Sequence, residues 1–137
     1  MKYVIGLLFL LFFLSNDAQQ LDKYRWESRL LVLISNNEDT IASNKLINEI
    51  ERDTAGLKER KLLIFKVYPN YYSVESEPIE GEALYDKFNP EKVDFKFLLI
   101  GLDGRIKLEE SYPLSKEDLY KIIDTMPMRA SELKGKQ

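Results

Sequence analysis

The pattern of apolar and polar positions changes its rhythm along the chain. Behind Lys2, residues Tyr3 to Leu14 form an unbroken apolar stretch that ends in Ser15-Asn16-Asp17-Ala18. Further on, Arg29 to Ile34 (RLLVLI), Lys61 to Tyr68 (KLLIFKVY) and Phe95 to Gly101 (FKFLLIG) are apolar runs too short for core helices, and each predicts a buried strand. A fourth strand is predicted over Arg105 to Tyr112, where Ile106 and Leu108 alternate with Lys107 and Glu109 and so turn inward. Between the first two runs, Ile47, Ile50, Thr54 and Leu57 recur at steps of three and four, which predicts one amphipathic helix over Thr40 to Glu59. Leu119, Ile122, Ile123 and Met126 make a second stripe, opened by the capping pattern Ser115-Lys116-Glu117-Asp118. Pro127 stops that helix, because it lacks an N–H and its ring clashes with the preceding turn.

The connections follow from their turn formers. Asp103-Gly104 between two strand patterns signals a hairpin. Residues 70–94 read as an irregular loop crowded with Glu75, Glu77, Glu80 and Glu82, followed by a short helix to Phe88. The tail from Ser131 to Gln137 is polar and expected to be mobile, apart from a short helix that Pro127 can open over 127–133. The order β-α-β, connection, β-β-α calls for a parallel pair with a right-handed crossover and an added antiparallel hairpin. The expected fold is therefore α/β: a thioredoxin-like, four-stranded mixed sheet with flanking helices. Its core is expected to hold Leu31, Leu33, Ile47, Ile50, Leu63, Phe65, Phe97, Leu99, Ile106, Leu119, Ile122 and Ile123.

Composition narrows the chemistry. A positive start, an apolar middle of about a dozen residues and a small residue at the exit are the order of a secretory signal. A membrane anchor needs about 18 or more apolar residues, so residues 1–18 are expected to be a cleaved signal peptide and 19–137 a single secreted or periplasmic domain without a membrane span. The formal net charge of −3 gives no electrostatic reason to expect nucleic acid. With Cys 0 and His 0, thiol catalysis, Cys/His zinc sites and imidazole-activated nucleophiles are excluded. No cofactor motif is present, and none is expected.

Two stretches resemble a known family. LDKYRWESRLLVLIS at 21–35, and GLDGRIKLEES at 101–111 followed by IDTMPMRASEL at 123–133, are similar to the DUF4174 family, with MPMR at Met126–Arg129 the most specific piece. The resemblance implies an exported thioredoxin-like domain, similar to the domain of extracellular sushi-repeat and equarin-type proteins and related to peroxiredoxins. It carries no catalytic residues. A thioredoxin-like enzyme places its reactive cysteine just after the first strand, where a helix N-terminus lowers the thiol pKa. Here that place is Ser35 to Thr40, without sulfur, and Val93-Asp94 stands where such an enzyme has a cis-proline.

What remains are candidates for binding or bracing. Hydroxyls at Ser35, Thr40 and Ser43 read as helix caps rather than nucleophiles. Tyr68, Tyr71 and Tyr72 read as edge packing ahead of a recognition patch. Arg25, Trp26, Arg29 and Arg129, with Met128 beside them, are candidates for a binding site, since Arg and Trp are enriched in hot spots, but a structural clamp is the preferred reading. The function expected is a non-catalytic binding module whose partner is an envelope or extracellular protein. The alternative is a divergent peroxiredoxin-like oxidoreductase with a non-thiol mechanism. The oligomeric state is left open.

Overall fold

The computed structural model describes residues 20–135, so the expected signal peptide at residues 1–18 lies outside the described residues. β1 (Arg29–Ser35) is buried along its whole length, as its unbroken apolar run requires. It pairs in parallel with β2 (Leu62–Val67), Arg29 opposite Leu62, and antiparallel with β5 (Phe95–Ile100), Leu30 opposite Ile100. The described residues form a six-stranded mixed sheet in the order β4-β3-β2-β1-β5-β6, not the four strands expected.

The two extra strands are β3 (Tyr71–Val74) and β4 (Glu77–Glu80), a hairpin inside the stretch read as a loop. Its turn residues Glu75 and Ser76 have φ of 51° and 68°, left-handed values that a two-residue hairpin normally recruits Asn or Gly to adopt. Every residue of β4 is exposed, so no alternation marks it either. Its two glutamates and Pro78 suit an outer edge that must not pair further.

The predicted helix over Thr40 to Glu59 is three: α1 (Glu38–Ala42), α2 (Lys45–Arg52) and α3 (Thr54–Glu59). Asn44 accepts from the Ile47 N–H at 3.2 Å and Asp53 from the Gly56 N–H at 3.1 Å. Each side chain thereby starts a new helix inside the periodic stripe, the competition that disfavours Asn and Asp in helix interiors. α1 is capped by Asn37, which accepts from the Asp39 N–H at 2.9 Å; Ser35, Thr40 and Ser43 are not the N-caps. α4 (Ala83–Phe88) follows the hairpin, and β6 (Ile106–Glu110) follows β5. α5 (Lys116–Asp124) begins at Ser115, which accepts from the Asp118 N–H at 3.2 Å. α6 (Pro127–Gly135) restarts at the proline, so the tail expected to be mobile from Ser131 is helical through Gly135.

Alternation along β1 divides the core into two layers. Leu30, Val32 and Ile34 face α4 and the lead-in segment, where Tyr24 meets the Phe65 ring edge-on at 5.3 Å. Leu31 and Leu33 face α1, α2 and α5 through Ile41, Ile47, Ile50, Leu119 and Ile123. Of the predicted core, Leu63 and Ile122 are half-buried. Ile106 is 50% exposed, because the register slips between Leu99 and Ile100 and β6 is an edge strand with a solvated side.

Candidate functional site

At the C-terminal end of β1, the turn read from the sequence as the place of a redox thiol in a thioredoxin-like enzyme, the polar side chains are occupied by hydrogen bonds. Buried Ser35 donates its hydroxyl to the Asn37 carbonyl at 2.9 Å and accepts the Asn37 N–H at 3.1 Å. Asn36 donates to Asp94 at 3.3 Å and accepts the Tyr85 hydroxyl. The Tyr71 hydroxyl donates to Glu38, and that bond pushes its pKa up to about 12. Tyr68 and Tyr72 are buried in opposite layers of the core, so these tyrosines do not make an exposed patch. A serine tied into its own turn, with no basic side chain among its hydrogen-bond partners, has nothing to activate it as a nucleophile.

At the opposite end of β1, the alternation that sends Leu31 inward also buries Arg29, 1% exposed, in the same layer. It donates to the Arg60 carbonyl at 2.8 Å and to Glu132 at 3.3 and 3.4 Å. Arg129, also 1% exposed, reaches the same Glu132 at 3.3 Å, Asp124 at 3.0 Å, and both the side chain and the carbonyl of Glu59 at 3.1 Å. Arg60 grips Asp124 with two bonds of 2.9 and 3.1 Å and lies over the Tyr120 ring at 3.8 Å. Tyr120 in turn donates to Asp53, the cap of α3, at 3.0 Å. Burial alone would raise the Asp124 and Glu132 carboxyls, yet their arginine partners outweigh it and hold both below the ordinary range. The network ties β1, the end of α3, and α5 to α6.

Of the residues singled out in the sequence, Arg29 and Arg129 therefore meet on one carboxylate. Arg25 and Trp26 sit elsewhere, and Trp26 is not among the hydrogen-bond partners of Arg129. Trp26 is 58% exposed, and its N–H bonds the Leu102 carbonyl at 2.7 Å, pinning the lead-in to the β5–β6 turn. Arg25 lies over its ring at 5.6 Å. Met128 is 41% exposed on α6, away from the buried stripe. Sequence reasoning missed Arg60, Glu59, Asp124 and Glu132. Only the spacing of Arg129 and Glu132, three apart on a helix, could have suggested one of them.

Two concavities adjoin this end of the sheet. One, of about 600 Å³, runs beside the first half of β2 and carries both signs of charge, Lys58, Lys61 and Lys66 against Glu27, Glu51 and Glu75. The other, of about 300 Å³, lies on the Leu30 face between the lead-in, α4 and the β5–β6 turn. Residues 20–132 match a family described as a domain of unknown function, DUF4174. No solved structure matches the chain.

Proposed function

The chain belongs to the DUF4174 family, and from that premise we propose that it is an exported, thioredoxin-like domain acting as a non-catalytic binding module of the cell envelope or extracellular space. The observation that carries the non-catalytic reading is the turn after β1. Ser35, Asn36 and Asn37 stand where the thioredoxin-like reading puts a redox thiol, and all three spend their side chains on hydrogen bonds within the fold. The strand order β2-β1-β5-β6, with β1 and β2 parallel and the other neighbours antiparallel, supports the thioredoxin-like reading; the β3–β4 hairpin then extends the β2 edge. Arg29 and Arg129 are structural on this reading, since both guanidinium groups are buried and their hydrogen bonds go to partners within the fold. That leaves the exposed Arg25, Trp26 and Met128 as the binding candidates.

The test has two arms. Purified protein assayed with peroxide and with a disulfide substrate is expected to show background rates only, and turnover that follows the protein through purification would reject the non-catalytic reading. Tagged protein recovered from its own envelope or medium is expected to lack residues 1–18 by intact mass and to bring down a defined partner. A full-length mass there would reject export with cleavage.

A further inference from the structure

The smaller cleft has an apolar floor and a cationic rim. Leu30, Phe88 and Ile100, all buried, form the floor, and Arg25, Lys87 and Arg105 stand around it. Among the described residues none of these cations forms a salt bridge, although the chain as a whole is acidic at −3. Arg25 and Lys87 instead lie over the rings of Trp26 and Phe88 at 5.6 and 5.5 Å. Of the carboxylates on the cleft wall, Asp103 feels the charge of Arg105 but makes its side-chain ion pair with Lys107. Asp103 is held by Lys107 at 2.8 Å and by the Arg105 N–H at 3.0 Å, which leaves Asp22 as the one carboxylate not engaged by another cation.

The backbone is shaped to present Arg25. Trp26 holds φ of 70°, a left-handed value unfavourable for a bulky side chain. Its N–H bond to Leu102 fixes that bend. The stem of Arg25 then runs beside Gly104, where a Cβ would lie 3.6 Å from Arg25 Cδ and Nε. Strain held in place by surrounding contacts is a feature of ligand sites.

We propose that this cleft binds a small amphipathic carboxylate, its anionic head on Arg25 and Arg105 and its apolar body on Leu30, Phe88 and Ile100. The exposed guanidinium groups on the rim offer charged donors to an anionic head, and an anion that brings its own apolar body also covers the floor. A volume of about 300 Å³ is at the lower end for small-molecule sites, which favours a short acyl or single-ring acid over a larger ligand. The proposal deepens the binding-module reading and rests on it.

The chain has one tryptophan, and Trp26 lies under the Arg25 guanidinium at the edge of the cleft, so its fluorescence is one readout and calorimetry the second. Octanoate and phenylacetate are the carboxylate probes, octanol the neutral control and inorganic phosphate the control for a bare anion. Saturable binding of a carboxylate is expected, with octanol and phosphate each at least about tenfold weaker. Arg25→Gln and Arg105→Gln are each expected to weaken binding by about ten- to a hundredfold, the range for a lost hydrogen bond to a charged group, without change in melting. Octanol binding as well as octanoate, phosphate binding as well as octanoate, affinity unaltered in both variants, or no binding at all would each overturn the proposal. The underlying reading fails separately: failure of both carboxylates to bind, with a partner still captured, keeps the module and removes the cleft, whereas peroxide turnover removes the non-catalytic reading and leaves the cleft intact.

Discussion

Two groups of cations occupy the same end of the sheet on its opposite faces, and their surroundings differ completely. On the Leu31 face, Arg29, Arg60 and Arg129 are enclosed and matched with Asp124, Glu132 and Glu59. On the Leu30 face, Arg25, Lys87 and Arg105 border an open cleft and form no salt bridge among the described residues. Burial explains the first arrangement. A guanidinium withdrawn from water costs several kcal/mol unless charges and hydrogen bonds replace its hydration, so each buried cation here has a carboxylate, Lys96 included, with Glu91 at 2.6 Å and Glu109 at 3.1 Å. The second group stays near solvent and is under no such obligation. Sequence proximity hides the contrast, since Arg25 and Arg29 are four residues apart yet end on different sides of the sheet.

The comparison is broken most directly by removing a buried guanidinium. Arg129→Ala leaves Asp124, Glu132 and Glu59 facing one another without their shared cation, and is expected to cost about 3–5 kcal/mol in denaturant unfolding. Arg129 and Arg29 share Glu132, so the double alanine variant should cost less than the two single losses added, by about 1 kcal/mol or more. A loss below about 1 kcal/mol for Arg129→Ala would mean that water reaches the network, since exposed pairs contribute no more than that. Arg25→Ala, by contrast, is expected to stay within about 0.5 kcal/mol of the parent.

A smaller effect sharpens the same contrast through pH. Asp124 and Glu132 have folded pKa values below their ordinary 3.8 and 4.5. The stability they contribute is present above those ordinary values and is lost as pH falls through the depressed folded ones. Melting temperature should therefore be sustained down to about pH 4.5 and fall steeply below it. In Glu132→Gln the starting stability should be lower and the acid fall shallower, because one of the coupled protons no longer binds on unfolding. An acid profile identical to the parent's would place the titrating groups elsewhere in the molecule.

How much of this could be read from the sequence depends on whether a feature is local. β1, β2 and β5 were legible because unbroken apolar runs have one explanation in a small α/β domain, and the start of α5 was legible because Ser115 caps it through its own neighbours. The β3–β4 hairpin was not, since Glu75-Ser76 takes left-handed backbone without the residues that advertise it. The break of one expected helix into three lay in Asn44 and Asp53, whose capping role shows only when the backbone bends to meet them. Arg29 and Arg129 could be picked out by type. Their meeting on Glu132 could not, because Arg29 and Glu132 are 103 residues apart, and nothing in either neighbourhood encodes the other.

The smallest predicted effect concerns the backbone beneath the unpaired group. Trp26 at φ 70° holds its Cβ against the carbonyl side of its own peptide, a strain that glycine does not feel. Its ring is 58% exposed, so losing the ring forfeits little packing, mainly the contact with Arg25. Trp26→Ala removes that contact and keeps the strain, whereas Trp26→Gly removes both and still donates its N–H to Leu102. Glycine at this position is therefore expected to be more stable than alanine by about 1 kcal/mol, the reverse of the usual order away from such backbone. Paired chemical unfolding of the two variants measures the difference without reference to the parent. If alanine proves the more stable, position 26 does not hold left-handed backbone in solution, and the bend that carries Arg25 to Gly104 is not built into the fold.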